Sequence, residues 1–156
     1  MTTTEARWLD DDERQAWDPF IGLLLKLPHA LDVAVRKRTG LTHFEYAVVS
    51  ALSEAEGCTR TMGELAEFAN ASPSRLSHVV AKLEERGWVS RSTCPTSARV
   101  TLATLTGEGM AVVVEAAPHY VEAVRALVID ALKRSQLPQL GAISGRLLAN
   151  LSELSD

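Results

Sequence analysis

The side chains best suited to chemistry in this chain are small polar and basic residues between positions 72 and 99. They surround or follow a segment whose apolar residues, Leu76, Val79, Val80 and Leu83, recur every three or four positions. Helical spacing of this kind leaves the polar residues on the outer face. The candidate residues are the N-cap Ser72, the outer-face residues Ser74, Arg75, Ser77, His78 and Lys82, and two later arginines, Arg91 and Arg99. Arginine and serine contact both bases and phosphates, so the expected chemistry is binding of double-stranded DNA.

The distribution of charge along the chain agrees with DNA binding, although the net charge of the whole chain does not. The chain has 156 residues and a formal net charge of −4. Five bases and two acids fall between residues 72 and 106, which makes that segment basic while the rest of the chain is acidic. A local basic surface on an acidic protein suits selective, salt-sensitive binding to DNA.

Helix signals place this polar set on the second of two short helices. Ser72 is a good N-cap, Pro73 suits the first helical position, and Gly87 suits the C-terminal end. A capping box at Thr61 and Glu64 opens the helix before it, with Leu65 and Phe68 expected on its buried side. The short turn at residues 70–71 between the helices predicts a helix-turn-helix.

A hairpin is predicted directly after the second helix. Residues 88–93 and 99–105 are rich in Val, Thr and Trp, and a five-residue Cys-Pro-Thr-Ser-Ala link joins them. This two-stranded wing would place Arg91 and Arg99 at the adjacent minor groove or phosphates.

Longer helices are predicted at both ends of the chain. Asp10 with Glu13, and Thr42 with Glu45, form capping boxes, while Thr106 and Ser135 are expected to cap two further helices. Pro28 is expected to kink or split the first helix, and Pro118 to bend the fifth. These terminal helices carry wide apolar faces that one small domain cannot cover, which indicates a symmetric homodimer.

The predicted fold is therefore mainly α, a winged helix-turn-helix with a two-stranded wing. Residues 42–105 are expected to form the DNA-binding domain. Residues 1–41 and 106–156 are expected to form a helical dimerisation region from both termini.

The ordered pattern from Leu65-Ala66 through Asn70-Ala71-Ser72, Leu76-Ser77 and Lys82-Leu83-Glu84-Glu85-Arg86-Gly87-Trp88-Val89 resembles the DNA-binding core of MarR-type regulators. The wing, with Arg91, Pro95, Arg99, Leu105-Thr106 and Gly109, is also similar, as is the upstream His43-Phe44-Glu45-Tyr46. The resemblance covers about residues 8–150. One position departs from it: Ser97 stands where the family usually has an Asp that orients the wing arginine, here Arg99.

The resemblance implies a dimeric winged-helix regulator, acting as a repressor at a pseudo-palindromic operator. Many members of the family are released from DNA by small, often phenolic, ligands bound between the dimer and DNA-binding parts. Four aromatic side chains are candidates for bordering such a crevice: Trp17, His29, His43 and Tyr46. For His29, His43 and Tyr46, ordinary helix packing is the competing interpretation.

Other reactive residues give weaker signals. The chain has two cysteines, Cys58 and Cys94, which form no metal or disulfide motif. Cys94 lies between two arginines, so a redox-sensing wing is an alternative hypothesis. The four histidines lack zinc-site spacing, no cofactor is indicated, and no catalytic motif suggests an enzyme.

Two further function classes are compatible with the sequence. The net negative charge fits a winged-helix module that binds protein instead of DNA, and the same fold could carry a ligand or a metal ion. No membrane-spanning or signal segment is visible, so a cytoplasmic location is expected.

Overall fold

The computed structural model describes residues 6–154 and is mainly helical, with one small antiparallel sheet. Its helices are α1 (Asp11–Thr39), α2 (His43–Ser53), α3 (Met62–Phe68), α4 (Pro73–Glu85), α5 (Gly107–Leu127) and α6 (Leu137–Glu153). Its strands are β1 (Thr59–Thr61), β2 (Val89–Cys94) and β3 (Ser97–Leu105). Short 3₁₀ turns cover Glu56–Cys58, Ile129–Ala131 and Arg134–Gln136. The predicted mainly α winged helix-turn-helix is confirmed.

The sheet has the strand order β1-β3-β2, one strand more than the predicted hairpin. Strand β1 pairs with the end of β3, with Thr59 opposite Thr104, and their hydroxyls lie 2.8 Å apart. The strands of the hairpin run further than predicted, so that the turn consists only of residues 95–96 instead of five residues.

The predicted helix starts are confirmed, with one exception. Full capping boxes form at Asp10, Thr42 and Thr61. Ser135 does not cap the last helix, because it lies inside the 3₁₀ turn that precedes α6. That turn is closed by the backbone N–H of Lys133, which donates to the side-chain oxygen of Gln136 at 2.9 Å.

Prolines inside the long helices do not divide them. Helix α1 runs through Pro19 and Pro28, and α5 through Pro118. All three prolines are exposed, so none of their rings is packed in the core. The expected split at Pro28 is therefore wrong. Helix α5 ends at Leu127, and the 3₁₀ turn over Ile129–Ala131 follows it.

Two buried clusters hold these elements together. The first joins α2, α3, α4 and the sheet, and its fully buried members include Leu52, Leu65 and Leu76. The second packs α1 against α5 and the start of α2 through Leu31, Val35, Leu41, Tyr46, Ala116 and Ala123. Tyr46 of α2 thus belongs to the second cluster, whereas its neighbours Val48 and Val49 belong to the first.

Large apolar side chains remain exposed on the terminal helices. They include Trp17, Leu24, Leu25, Val114, Val121, Leu140, Ile143, Leu147, Leu148 and Leu151. Phe68, expected on the buried side of α3, is 58% exposed. Helix α3 ends at this residue, and Leu65 with Met62 and Ala66 already fills its contact with the core. Within residues 6–154, no helix has both the length and the hydropathy to cross a bilayer.

Candidate nucleic-acid interface

Helix α4 is fixed at both ends by local backbone chemistry. The hydroxyl of Ser72 accepts a hydrogen bond from the backbone N–H of Arg75 at 3.2 Å, and Pro73 occupies the first turn. At the other end, Trp88 N donates to Leu83 O at 3.0 Å and Gly87 N to Glu84 O at 2.9 Å. Gly87 has φ +76°, so this is a Schellman motif that satisfies the last carbonyls. The predicted caps are confirmed.

The side chains of α4 fall into four groups around its axis. Leu76, Val80 and Leu83 are fully buried in the first cluster. At about 100° per residue, Ser74 and His78 point away from that cluster, and both are exposed. One flank carries Arg75 and Lys82, with the C-cap residue Arg86 on the same side, and the opposite flank carries Ser77 and Glu84. Ser74 and His78 therefore face solvent on the outer side of α4.

The first flank of α4 packs against the beginning of α2. The guanidinium carbon of Arg75 lies 4.5 Å from the centre of the Phe44 ring. Further along, Lys82 Nζ is 3.4 Å from Glu45 Oε1 and Arg86 Nη1 is 3.9 Å from Glu45 Oε2. Glu45 is 3% exposed. The ammonium of Lys82, which the sequence predicts to contact DNA, thus lies beside a buried carboxylate.

The second flank faces the wing across a groove of about 480 Å³. The groove is lined by Thr61, Met62, Gly63, Pro73, Ser77, Arg91, Arg99, Val100 and Thr101. The structure thus brings Ser77, Arg91 and Arg99 to the lining of one groove. No carboxylate within residues 6–154 forms an ion pair with Arg99.

Arg91 is tied to α4 by Glu84. The Glu84 carboxylate accepts from Arg91 Nε at 3.0 Å, from Nη2 at 2.7 Å and from the backbone N–H at 3.1 Å. These hydrogen bonds hold the pKa of Glu84 below its ordinary value. Of the five bases in the basic segment, three are consequently paired with acids. In the described part of the chain, Arg75 and Arg99 remain free of carboxylates.

Sequence reasoning missed both Glu45 and Glu84 as partners of the basic residues. Glu45 was recognised only as a capping residue, a role it keeps because its Oε2 also accepts from Thr42 N at 2.9 Å. The signal for Glu84 was weak, since an acid seven residues before Arg91 becomes a neighbour only when the hairpin folds back.

The joint between α4, the wing and α5 depends on Thr106 and Gly109. Thr106 Oγ1 donates to Gly87 O at 2.7 Å and accepts from Gly109 N at 3.0 Å. A Cβ on Gly109 would overlap the backbone carbonyl of Trp88. The chain therefore needs a glycine where α5 passes the link between α4 and β2.

At the wing tip, Ser97 pairs in register with Cys94. The Cys94 Sγ lies 3.3 Å from Thr96 Oγ1. Hydrogen bonds with the Thr96 side chain, then with the backbone of Thr96 and Ser97, lower the pKa of the Cys94 thiol. Position 97 therefore offers Arg99 a hydroxyl in place of a carboxylate.

The four aromatic candidates for a ligand crevice do not form one group. His43 and Tyr46 flank Tyr120 of α5, with ring centres 5.9 Å and 4.3 Å from it. Burial lowers the pKa of His43 against the smaller opposing effect of Asp32, and His43 Nδ1 is a buried atom without a hydrogen-bond partner. Trp17 contacts Phe20 and His29 is exposed. On a helix, Trp17 lies about 18 Å from His29. Tyr120 was missed, because sequence spacing gives no reason to join residues 46 and 120.

Within residues 6–154, no group of three or more His, Cys, Asp or Glu side chains is arranged to hold a metal ion.

A capped helix with a polar outer face, set beside an arginine-bearing hairpin, defines a winged-helix DNA-binding protein. The MarR family model matches residues 41–101. The structure is similar to Sco3205, a MarR family transcriptional regulator from Streptomyces coelicolor solved in complex with DNA. The two are 39% identical over 94% of this chain and 91% of that one, with a TM-score of 0.85.

AbsC, another MarR family transcriptional regulator from Streptomyces coelicolor, is 33% identical over 95% of this chain and 99% of its own, with a TM-score of 0.86. CouR from Rhodococcus jostii RHA1, solved bound to p-coumaroyl-CoA, is 26% identical over 83% and 92%, with a TM-score of 0.70. Comparison with curated proteins gives no match. The chain belongs to the MarR family of DNA-binding transcriptional regulators.

Proposed function

We propose that this protein is a homodimeric repressor whose two α4 helices read a pseudo-palindromic operator in successive major grooves. The observation that carries the proposal is the polar outer face in the N-terminal half of α4, beside Arg99, which pairs with no carboxylate within residues 6–154. Ser74, Ser77 and His78 present small polar groups at the end of the helix that enters the groove in helix-turn-helix proteins. Arg75 and Arg99 supply the cations. Sco3205, at 39% identity, was solved with DNA.

The roles of the eight DNA-binding candidates divide in this proposal. Ser72, at the N-terminus of α4, lies where backbone N–H groups favour a phosphate. Ser74, Arg75, Ser77 and His78 face bases and nearby backbone. Arg99 reaches phosphates from the wing. Arg91 supports the wing through its ion pair with Glu84, and Lys82 pairs with Glu45.

The homodimer is supported by the apolar surface that one protomer leaves exposed. Helix α6 carries Leu140, Ile143, Leu147 and Leu151 at helical spacing, all exposed. Helices α1 and α5 add Leu24, Leu25 and Val121, among others. An exposed surface with this many large apolar side chains is unfavourable in water. We therefore assign residues 1–41 and 106–156 to the dimer interface region and residues 42–105 to DNA binding. Residues 1–5 and 155–156 lie outside the described residues.

Release by a small aromatic ligand is supported by the ring cluster of His43, Tyr46 and Tyr120. The cluster joins α2 to α5, and the unpartnered Nδ1 of His43 lies within it. CouR was solved with a phenolic thioester, p-coumaroyl-CoA. A ligand at this junction releases DNA only if it binds the two states with different affinity.

The DNA-binding proposal is tested with a duplex recovered by wild-type protein from a random 30-bp pool. We expect Arg75→Ala and Arg99→Ala each to weaken binding by about tenfold or more, as loss of one phosphate or base contact does. Arg99→Ala should also lower the slope of log affinity against log salt by about one. Arg14→Ala, at an exposed position on α1, is the matched control. Wild-type affinity of both variants would refute these assignments.

The dimer is tested by sedimentation of Ile143→Glu. A carboxylate in an apolar interface should dissociate the protein into protomers. Ala149→Glu is the control, because Ala149 is exposed and lies on the other side of α6. A monomeric wild type, or a dimeric Ile143→Glu variant, would contradict the proposed interface.

A further inference from the structure

The first turn of α2 contacts both the helical region and the recognition helix. The backbone N–H of His43 donates to Asp32 Oδ1 of α1 at 2.9 Å, and the His43 ring stacks on Tyr120 of α5. The next residue, Phe44, lies under Arg75 near the start of α4. Glu45, directly after it, pairs with Lys82 near the end of α4. Three consecutive residues therefore link α1 and α5 to both ends of α4.

Glu45 is the most buried of these three residues. Glu45 is 3% exposed, and its two carboxylate oxygens lie 2.9 Å from Thr42 N, 3.4 Å from Lys82 Nζ and 3.9 Å from Arg86 Nη1. A buried carboxylate is unfavourable unless it is paired and hydrogen-bonded, so Lys82 and Arg86 are held close to it. Arg86 is also positioned by Trp88, whose ring centre lies 5.0 Å from its guanidinium carbon.

Two observations argue against Lys82 as a contact to DNA. Its ammonium lies 3.4 Å from Glu45 Oε1, so its charge is already partly neutralised by a carboxylate that would otherwise be left with Arg86 alone at 3.9 Å. Lys82 also lies nine residues after Pro73, about 14 Å along the axis, whereas recognition helices contact bases with their N-terminal residues.

We propose that Glu45 and Lys82 are positioning residues: their ion pair sets the orientation of α4 on α2, and Lys82 does not neutralise an operator phosphate. This inference rests on the proposed operator binding by α4. In this arrangement the pair converts any displacement of the α1–α2 corner into a displacement of α4. The ion pair therefore affects the affinity for the specific operator by orienting α4, whereas Arg99 contributes to affinity by neutralising the charge of DNA phosphates.

The test is a double-mutant cycle with Glu45→Gln and Lys82→Gln. Glutamine suits this position of a capping box, so Glu45→Gln removes the charge and keeps the acceptor for Thr42 N. If the pair positions α4, each single variant weakens binding to the selected 30-bp duplex by about tenfold. The double variant is then no weaker than the singles, because both remove one interaction. The salt slope of all three equals that of wild type.

A phosphate contact by Lys82 gives the opposite pattern. Glu45→Gln would then release Lys82 and strengthen binding, while Lys82→Gln would lower the salt slope by about 0.9. Arg99→Gln provides the slope change of a true phosphate contact, and Glu85→Gln controls for loss of an acid on α4. Stronger binding by Glu45→Gln, or a lower slope for Lys82→Gln, overturns the proposal.

A measurement without DNA separates this inference from the proposed function. The same four proteins are compared by thermal unfolding, where a real ion pair gives non-additive changes. If wild type binds no duplex even at low salt, the proposed function fails. The double-mutant cycle in thermal unfolding would still show whether Glu45 and Lys82 interact. Additive changes in stability would overturn the proposed ion pair.

Discussion

The Arg91 guanidinium on β2 donates two hydrogen bonds, of 3.0 and 2.7 Å, to the Glu84 carboxylate on α4. A third, from the Arg91 backbone N–H, reaches the other carboxylate oxygen at 3.1 Å. Strand β2 is therefore attached to the recognition helix by side-chain chemistry as well as by the chain. This attachment fixes the base of the wing and leaves Arg99, on the paired strand, to face the groove.

Arg91→Met should reduce the acid sensitivity of folding. The Arg91 hydrogen bonds lower the pKa of Glu84 in the folded protein from an ordinary value of 4.5. The charged form therefore stabilises the fold above that value, and the contribution is lost as pH falls through the folded pKa. Since both side chains are about a third exposed, the effect should be at most about 1 kcal/mol. Denaturant unfolding of wild type and Arg91→Met between pH 6 and 3 measures it.

The control for this experiment is Glu85→Gln, because Glu85 forms no ion pair within the described range 6–154. Parallel pH profiles for wild type and Arg91→Met would contradict the assignment.

Gly109→Ala should destabilise the joint between the wing and α5. The added Cβ would overlap the Trp88 carbonyl and crowd Leu105, so backbone must move. Overpacking of this kind costs about 1–3 kcal/mol. Gly107→Ala is the matched control, since a Cβ there meets nothing within 4 Å. Thermal unfolding of both variants measures the difference, and equal midpoints would show that the contact yields freely.

His43→Phe should remove a pH dependence of stability below about pH 6.5. Burial lowers the pKa of His43 from 6.5, so the neutral ring is favoured in the folded state. Stability from this group is present above the unfolded pKa and falls as pH drops through the folded pKa. Phenylalanine keeps a ring against Tyr120 and cannot titrate. Unfolding at pH 7.5 to 5 should therefore give a flatter profile for the variant.

His29→Phe controls for the general loss of a histidine, because His29 is exposed. A wild-type profile as flat as that of His43→Phe would show that His43 does not titrate in this range.

Cys94 should react with iodoacetamide faster than Cys58 at pH 7.5. Hydrogen bonds from Thr96 lower its thiol pKa and raise the thiolate fraction, and the thiolate is the reactive form. Thr96→Val should slow this reaction without unfolding the protein. Mass spectrometry of alkylated peptides gives both rates. The redox hypothesis requires in addition that peroxide weakens DNA binding in wild type but not in Cys94→Ser, and unchanged wild-type affinity would reject it.

The sequence alone determined the features that depend on neighbouring residues. The capping boxes at Asp10, Thr42 and Thr61, the Ser72 cap and the Gly87 end were all predictable. Their hydrogen bonds join residues only a few positions apart, so each motif carries its own geometry. The wing was predictable from its change to strand composition. The prediction that Ser135 caps the last helix was wrong, because an N-cap residue needs an extended backbone and Ser135 lies inside a 3₁₀ turn.

Tertiary structure decided which basic residues remain available. Sequence placed Lys82 and Arg91 on exposed faces correctly, but their partners, Glu45 and Glu84, approach only when α2 and β2 pack beside α4. Strand β1 exists because Thr59–Thr61 meets β3 more than forty residues later. Tyr120 likewise joins His43 and Tyr46 from another helix. Charge pairing and ring stacking act over a few ångströms in space, and the distance along the chain does not reveal them.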